Sequence, residues 1–272
     1  MYFSMDEIGY ENALEVNGIK AVDEKWRFIY KVAKSYGFEG IHFTPSLYNE
    51  LGLDLNTIPE YFGEFKLTMH LGGAGVRKLA SDEDCAMFSE TMGRYLKIAE
   101  RHNMHDISIH PPRTFTMTSE EREMCERLFR KIVDKWLGVV LGRGISLSLE
   151  THVTGEYFMF NGLGEYEKFI DEYPELGVLI DVSHNFYDGF SVDEIIKRLS
   201  GKNVKGLHLS DARQGVDFRE GTHLAVGEGD IDFGKILKGF KRIPNIYSVL
   251  EIKANNESMA KSLEILKAVI VG

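Results

Sequence analysis

The chain has 272 residues, a length that suits two ordinary domains or one large α/β barrel. Hydrophobic residues make up 43% of the sequence and charged residues 27%, as in an ordinary soluble globular protein. The formal net charge is −10, which disfavours nucleic acid as a partner, because phosphate neutralisation by basic residues supplies most of a nucleic-acid binder's affinity.

Short β-like runs alternate with longer amphipathic segments along the whole chain. We predict eight strands, at Met1–Met5, Gly40–Phe43, Phe65–His70, Asp106–His110, Ile145–Glu150, Val178–Asp181, Val204–Leu209 and Tyr247–Ile252. We predict helices at Val22–Tyr36, Asp82–Arg101, Ser119–Leu141, Glu165–Glu172, Val192–Leu199, Phe233–Phe240 and Glu257–Val271. The segment Tyr48–Tyr61 fits either a short helix or an elaborated loop.

Eight β-then-α units in a chain of this length predict a single-domain (β/α)8 TIM barrel spanning residues 1–272. Two helix starts support this reading, because Thr118 and Ser191 each precede a glutamate by three residues, the spacing of a capping box. The alternative is a doubly wound open sheet, but no G-x-G-x-x-G motif follows the first strand.

Targeting and redox features favour a cytoplasmic protein. No apolar run approaches the ~20 residues that span a bilayer, so we expect no membrane partner. The amino-terminal segment MYFSMDEIGYEN lacks a basic region followed by an apolar core, and we expect no secretory signal. Cys85 and Cys125 both fall in segments with a helical pattern and are predicted to be reduced thiols.

Six consecutive predicted strands end on or beside a His, Asp or Glu. These residues are His70, His110, Glu150, Asp181 with His184, His208 with Asp211, and Glu251. In a barrel of this kind the carboxyl ends of the strands meet at one rim. Six anionic or imidazole groups at one cavity would be electrostatically costly without cations. Their nitrogen and oxygen donors suit one or two divalent ions per chain, Zn²⁺, Mn²⁺, Co²⁺ or Mg²⁺.

Five short motifs carry most of these residues in order along the chain. They are LSLETH (147–152), LIDVSH (179–184), GLHLSD (206–211), HLAVGEGDIDF (223–233) and VLEIK (249–253). Together they resemble the xylose-isomerase-like TIM-barrel superfamily, which includes sugar isomerases, sugar epimerases and type IV AP endonucleases. The resemblance covers essentially the whole chain. It implies a shared set of metal ligands, Glu150, Asp181, His208 and Glu251.

The endonuclease branch of this superfamily implies further metals. His70 and His110 match two histidines that hold a second metal there, with Glu150 bridging. His184 and His223 match two of the three ligands of a third metal, but Gly221 stands where that branch has an aspartate. We therefore assign His184 and His223 to substrate binding, with a weak metal site as the alternative.

The first functional interpretation is a metal-dependent isomerase or epimerase whose partner is a small sugar or sugar phosphate. A divalent ion would polarise a carbonyl, and two carboxylates would remove and return a proton. The resemblance implies Glu150 and Glu251 for these roles. His184 and Arg213 would hold substrate oxygens, and Arg213 suits a carboxylate or phosphate. Lys253 shares a strand face with Glu251 and would add a positive group, donate a proton or form a plain salt bridge.

The second interpretation is an AP endonuclease-like phosphodiesterase with two metals about 3.5–4 Å apart. His70 and His110 favour it. Gly221 and the net charge of −10 oppose it. The loop after the third strand also opposes it, because Arg77 and Lys78 are its only basic residues.

A third interpretation is a barrel that has lost catalysis and serves as a binding or regulatory module. The complete ligand set opposes it, because carboxylates at an empty rim would be destabilising. The loop after the second strand, residues 44–64, is acidic and apolar. We expect apolar residues of this loop to be exposed, which makes a homodimer plausible.

Overall fold

Eight parallel strands pair in chain order and close into a barrel in the computed structural model. The strands are β1 (Tyr2–Met5), β2 (Gly40–Phe43), β3 (Lys66–Gly72), β4 (Asp106–Ile109), β5 (Ser146–Glu150), β6 (Gly177–Asp181), β7 (Val204–Leu209) and β8 (Tyr247–Leu250). Closure comes from β8, which pairs with β7 on one side and with β1 on the other. The predicted (β/α)8 TIM barrel is therefore confirmed.

The structure describes residues 1–5, 18–74, 76, 78–113, 118–155, 158–253 and 256–271. Residues 6–17, which include much of the segment considered for a secretory signal, lie outside these ranges, as does Arg77. Within the described ranges, no helix is both long enough and apolar enough to cross a membrane.

The predicted helices are all present, with ends within two residues of their predicted positions. The described helices are α1 (Val22–Tyr36), α2 (Pro45–Glu50), α3 (Asp82–Arg101), α4 (Ser119–Leu141), α5 (Leu163–Glu172), α6 (Val182–Tyr187), α7 (Val192–Leu199), α8 (Phe218–Gly221), α9 (Phe233–Phe240) and α10 (Asn256–Val271). Both predicted capping boxes form, at the starts of α4 and α7. Each such cap stabilises its helix by about 1 kcal/mol and fixes where the preceding loop ends.

Side chains alternate along each strand between the barrel interior and the surrounding helices. In β5, Leu147 and Leu149 join the main hydrophobic core, whereas Ser148 and Glu150 point the other way and are also buried. Interiors of such barrels are usually filled by branched apolar side chains. This one is unusually polar, with buried Ser4, His42, Thr68, Ser108 and Ser148.

At the amino-terminal end of the barrel, the buried Asp106 carboxylate is hydrogen-bonded to two hydroxyl groups. Its carboxylate accepts hydrogen bonds from Ser148 Oγ at 2.6 Å and from the Tyr247 hydroxyl at 2.7 Å. Burial raises the pKa of Asp106 to about 6. A Cβ at Gly206 would lie 2.3 Å from the Tyr247 ring, so only glycine leaves room for that ring. A cavity of about 670 Å³ opens at this end, and none of the candidate metal ligands line it.

The loop after β2 packs onto its own domain. Its apolar residues Leu51, Leu53, Leu55, Ile58 and Phe62 are all buried. Trp26 of α1 stacks on Tyr48 and meets Phe62 edge-on. The ambiguous segment Tyr48–Tyr61 contains the end of α2, the 3-10 turn Leu55–Thr57 and the start of a second 3-10 turn, Glu60–Glu64. The expectation that this loop exposes apolar residues is wrong, so it no longer supports a homodimer, and the oligomeric state stays a prediction.

Candidate metal centre

The four predicted shared ligands converge at the carboxyl ends of the strands. One ligand atom from each of Glu150, Asp181, His208 and Glu251 lies within 4.8 Å of the others. Three of the four are almost fully buried, and Glu251 keeps 17% of its side chain exposed. His208 Nδ1 lies 2.6 Å from Glu251 Oε2 and 3.3 Å from Glu150 Oε1. Since the strands deliver these groups from different parts of the chain, the closed barrel itself assembles the cluster.

Two further histidines lie on the other side of Glu150. The distance to Glu150 Oε2 is 3.1 Å from His110 Nε2 and 3.5 Å from His70 Nε2. Glu150 thus presents one oxygen to His208 and the other oxygen to this pair. The arrangement is that of a carboxylate shared between two adjacent groups of ligands.

A third group shares Asp181 with the first. His184 Nδ1 lies 3.2 Å from Asp181 Oδ2, and His184 Nε2 lies 3.0 Å from His223 Nε2. His223 has a φ of 55°, a left-handed conformation that costs a non-glycine residue on the order of 1 kcal/mol. Strain of this kind persists where the surrounding structure requires it. The sequence predicted substrate binding for His184 and His223, and this assignment stays a prediction.

The two oxygens of Asp181 face different partners. Oδ1 accepts hydrogen bonds from the His184 backbone N–H at 2.8 Å and from Ser183 Oγ at 2.9 Å. Asp181 is therefore the N-cap of α6, and β6 runs directly into this helix with no loop between them. Oδ2 is left facing the cluster, without a hydrogen-bond partner among the described residues.

Buried polar atoms without a hydrogen-bond partner are concentrated in this centre. Within the described part of the chain they include Glu150 Oε2, Asp181 Oδ2, His184 Nδ1, His208 Nδ1 and Glu251 Oε2. Each such atom costs about 1–3 kcal/mol if nothing satisfies it. They face one another at short range without hydrogen-bond geometry. Each is a nitrogen or oxygen atom of a kind that ligates metal ions. This is the pattern expected of ligands around a divalent cation, so the residues fit a metal.

The charges of the centre also suit a bound metal ion. Burial favours the neutral carboxyl, yet the imidazoles of His208, His110 and His70 hold the pKa of Glu150 well below its usual range. Burial likewise disfavours an imidazolium, yet Glu150 and Glu251 hold the pKa of His208 well above its ordinary value. These two carboxylates, Glu150 buried and Glu251 partly buried, therefore require a positive charge between them, and either a proton or a metal ion can supply it.

His42 is a buried imidazole to which the sequence analysis assigned no role. Its Nδ1 lies 2.6 Å from Thr68 Oγ1, and its Nε2 lies 3.4 Å from His208 Nε2. His208 thus faces the carboxylates through Nδ1 and His42 through Nε2. A ring held from both sides keeps one orientation and one tautomer, the usual requirement for a histidine that ligates a metal. The alternation of GIHF in β2 was the available signal, since it places His42 on the inner face.

Aromatic rings line one side of the centre. His152, in the LSLETH motif, lies 4.2 Å from Phe158 and 4.9 Å from His184 between ring centroids. Phe218 of α8 continues this wall, at 5.7 Å from His184 and 5.4 Å from Tyr187. Such rings pack well against the C–H face of a small hydroxylated molecule. The sequence patterns did not point to His152 or to these aromatic rings.

Of the remaining predicted residues, Lys253 lies beside the centre and Arg213 does not join it. The Lys253 ammonium is 5.7 Å from the centroid of the Phe218 ring. Arg213 is exposed, and its guanidinium donates to the Glu228 carbonyl. Substrate binding by either residue stays a prediction.

Asp211, which the sequence also placed at the rim, holds a loop together instead of facing the cluster. Its oxygens accept backbone N–H groups of Ala212, Gly227 and Ile231 at 2.9, 2.9 and 3.0 Å. These three bonds engage both of its oxygens and fix the segment that follows β7. It is therefore absent from the groups of residues that could hold a metal.

Gly221 occupies a position that only glycine fits. A Cβ there would lie 2.8 Å from the Arg213 carbonyl oxygen, 2.8 Å from Val216 Cγ2 and 3.1 Å from the Tyr187 ring. We expect Gly221→Asp to lower the free energy of unfolding by about 1–3 kcal/mol without adding a bound metal. Urea unfolding and elemental analysis measure both effects. Gly201→Asp, at a site with open space around it, is the control. An additional metal in a fully stable Gly221→Asp protein would contradict this expectation.

A family model described as a xylose isomerase-like TIM barrel matches residues 30–269. Among curated proteins, the probable endonuclease 4 of Buchnera aphidicola subsp. Acyrthosiphon pisum is 33% identical over a match that covers 33% of this chain and 37% of that protein. The chain thus spans little more than a third of the length of this relative.

Solved structures resemble the whole barrel. A D-tagatose 3-epimerase-like protein aligns with a TM-score of 0.76 and 17% identity, over 100% of this chain and 97% of that one. The IOLI protein with a binding zinc atom aligns with a TM-score of 0.74 and 15% identity, over the same shares of both chains. At these identities the likeness establishes the fold alone.

Proposed function

The chain belongs to the xylose isomerase-like TIM-barrel family, and from this premise we propose that it is a divalent-metal-dependent isomerase or epimerase of a sugar or sugar phosphate. One observation carries the proposal: two carboxylates, the buried Glu150 and the partly buried Glu251, converge on His208 among atoms that lack hydrogen-bond partners among the described residues. The structural likeness to a D-tagatose 3-epimerase-like protein supports the same class of reaction.

The ligand set proposed for the cation is Glu150, Asp181, His208 and Glu251. When bound, a divalent cation supplies Lewis-acid polarisation of the substrate carbonyl and its neighbouring hydroxyl. His70 and His110 would extend the set on the far side of Glu150.

Glu150 and Glu251 are the proposed proton carriers. Although burial disfavours the ionised form, His208 holds the pKa of each carboxyl below its ordinary value, so both start as carboxylates. One of them accepts the proton from the carbon beside the carbonyl. Return of a proton to the former carbonyl carbon gives isomerisation, in which the neighbouring hydroxyl passes its proton to the old carbonyl oxygen and becomes the new carbonyl. Return of a proton to the opposite face of the same carbon gives epimerisation. Glu251 is the more exposed of the two.

The remaining residues would position the substrate. His184 and His223 offer imidazole nitrogens to substrate oxygens beside Asp181. The rings of His152 and Phe218 form an aromatic wall next to them. Such a wall excludes water from the carbon that loses its proton, which strengthens the electrostatic interactions of the carboxylates.

Deuterium incorporation tests the proposal directly. Purified protein is analysed for bound metals, then incubated in D2O with a panel of ketoses and ketose phosphates and followed by NMR. We expect deuterium to enter at the carbon next to the carbonyl only in metal-loaded protein. Metal-loaded protein that incorporates no deuterium into any of these compounds would remove the isomerase or epimerase assignment.

A second candidate function is a phosphodiesterase with a dinuclear centre. His70 and His110 favour it, because they form a second ligand group around Glu150. The partial match to a probable endonuclease 4 adds support. Lys78 opposes it, since its ammonium pairs with Glu121 at 2.6 Å and is not free for a DNA backbone. Nicking of DNA that contains an abasic site, with two metals bound per chain, would favour this function over the first.

His42→Ala is expected to weaken metal binding by about 10–100-fold, the usual cost of removing the partner of a metal-ligating histidine. The loss arises because His208 would no longer be oriented through its Nε2. Titration with Co²⁺, read by its visible absorption, measures the dissociation constant. His105→Ala, at an exposed histidine, is the control. An unchanged dissociation constant in His42→Ala would show that His42 does not position His208.

A further inference from the structure

The cavity at the amino-terminal end of the barrel takes no part in the candidate metal centre. Its volume of about 670 Å³ lies in the range of small-molecule sites, roughly 300–1,000 Å³. The interior of such a barrel is usually filled by branched apolar side chains. The first inward residues of β3, β4 and β8 are instead Lys66, Asp106 and Tyr247, and all three line this cavity. The cavity is therefore the lowest part of the barrel interior.

The charge at this cavity is positive, in contrast to the charge of the chain as a whole. Three lysines and one aspartate are among the residues that line it, whereas the formal net charge of the chain is −10. The aspartate, Asp106, is 2% exposed, and its two oxygens accept hydrogen bonds from Ser148 and Tyr247. Its charge is thus held at the floor of the cavity, while the more exposed lysines surround the mouth. Cations around a cleft attract small anions.

Two of the three lysines have no ion-pair partner within the described part of the chain. Lys202 pairs with Asp171 at 2.5 Å. For Lys66 and Lys205, no described carboxylate lies within 4.0 Å of the ammonium, and neither ammonium donates a hydrogen bond to a described residue. The Lys66 ammonium lies 4.2 Å from the centroid of the Tyr2 ring, and this contact holds it at the mouth. Both lysines are therefore available to a ligand.

A register shift turns Lys205 toward the cavity. Leu179 of β6 pairs with Gly206 of β7, while the residue before Leu179 pairs with Val204, so Lys205 is an extra residue on β7. A bulge of this kind re-aims a side chain from the direction that strict alternation gives it. A Cβ at Gly177, the first inward residue of β6, would lie 2.7 Å from Lys205 Cγ. The stem of Lys205 therefore lies against the inner face of the sheet, and the residue lines the cavity.

The polar groups around the mouth favour a phosphate over a carboxylate. Strands β3 and β7 lie on opposite sides of the eight-stranded ring, so Lys66 and Lys205 flank the mouth from different directions. Asn245 adds a side-chain amide at the turn into β8, where its φ is 57°. An ammonium binds phosphate as a point charge, whereas two-point binding of a planar carboxylate is the geometry of arginine. The described residues that line the cavity include no arginine.

We propose that the amino-terminal mouth of the barrel is a second binding site, which takes a small organic phosphate through Lys66, Lys205 and Asn245. The Tyr2 and Tyr247 rings, 6.4 Å apart between centroids, also line the cavity and offer contacts to the organic part of such a ligand. The site lies at the opposite end of the barrel from the candidate metal centre. It is therefore independent of the proposed reaction.

Calorimetric titration of EDTA-treated protein tests the site. The ligands are inorganic phosphate, glycerol 3-phosphate, glycerol and citrate. Glycerol 3-phosphate has no carbonyl, so it is not a substrate of the proposed reaction. We expect both phosphates to bind with a dissociation constant of about 1 mM or lower, the affinity that roughly two charge-assisted hydrogen bonds supply, and glycerol not to bind. Absence of phosphate binding, or citrate binding as tight as that of glycerol 3-phosphate, would overturn the inference.

Lysine variants place the bound phosphate. Lys66→Met and Lys205→Met each remove one charge, keep an unbranched side chain, and should weaken glycerol 3-phosphate binding about tenfold. Lys31→Met on α1 and Lys261→Met on α10 change exposed lysines that do not line the cavity, and should leave the dissociation constant unchanged. Undiminished binding in the Lys66→Met/Lys205→Met double variant would put the phosphate elsewhere and exclude this site.

Asn245→Asp tests the site with both lysines in place. Aspartate also tolerates a left-handed backbone, so the fold should be kept, which the thermal midpoint checks. Its carboxylate would repel a phosphate at the mouth, and we expect binding to weaken about tenfold or more. Asn103→Asp is the matched control, because Asn103 is exposed, has a φ of 51° and does not line the cavity. Unchanged affinity in Asn245→Asp, or equal losses in the two variants, would contradict a phosphate bound at this mouth.

Discussion

Glu150→Gln is expected to lower the rate of deuterium incorporation by about 10³-fold or more. Loss of a general acid–base group typically lowers a rate by about 10²–10⁴-fold. The substitution keeps the size of the side chain and removes its charge. Glu150 is the residue that two ligand groups share, with one oxygen toward His208 and the other toward His110. The variant should therefore lose bound metal as well as the proton acceptor.

Two measurements make this result interpretable. Circular dichroism and the thermal midpoint must show that Glu150→Gln keeps the barrel, and Glu83→Gln, at an exposed glutamate of α3, controls for the loss of a carboxylate elsewhere. A Glu150→Gln protein that retains both metal and activity would exclude Glu150 as base and as shared ligand.

Loading with Zn²⁺ is expected to raise the thermal midpoint, and chelation to lower it again. A ligand present at 100 times its dissociation constant stabilises the folded state by about 2.7 kcal/mol. For a chain of this size that corresponds to roughly 5–10 °C. Differential scanning calorimetry of metal-loaded and EDTA-treated protein measures the difference. Equal midpoints in excess Zn²⁺ would argue against a metal at this centre.

The size of this stabilisation should depend on pH. In metal-free protein the folded-state pKa of His208 is raised above its unfolded value. Its proton therefore stabilises the fold below the unfolded pKa, about 6.5, and this contribution disappears as pH rises through the folded pKa. The same proton competes with a metal for the imidazole. The difference between the thermal midpoints of metal-loaded and EDTA-treated protein should thus be larger at pH 8 than at pH 6. A difference that decreases with rising pH would contradict a metal bound by His208.

The strands and their terminal residues could be predicted because both are local properties of the sequence. A run such as LSLE shows the alternation of a strand and the position of its last inward residue together, which located Glu150. Closure of eight such strands then follows from their number and from the length of the chain. The convergence of the strand-end residues at one rim could therefore be predicted without knowing any individual contact between them.

Contacts between distant segments could not be predicted in this way. His42 faces His208 across 166 positions of sequence, and the pairing depends on the register of the whole barrel. Asp211 matched the rim pattern, but backbone amides of its own loop occupy its oxygens. Whether a polar group at a strand end faces the cavity or its own loop is decided by loop conformation, which periodicity does not encode.

The order of the strands has a consequence for how the protein folds. Glu251 directly follows β8, the last strand of the chain, and β8 must dock between β7 and β1 before this carboxylate can join residues delivered by β5 to β7. An open barrel therefore lacks a complete ligand set, however well its earlier strands have paired. Because the contacts that close the ring are among the longest in sequence, closure is a slow step in assembly. The time at which refolding protein gains affinity for a metal would therefore show when β8 pairs with β1.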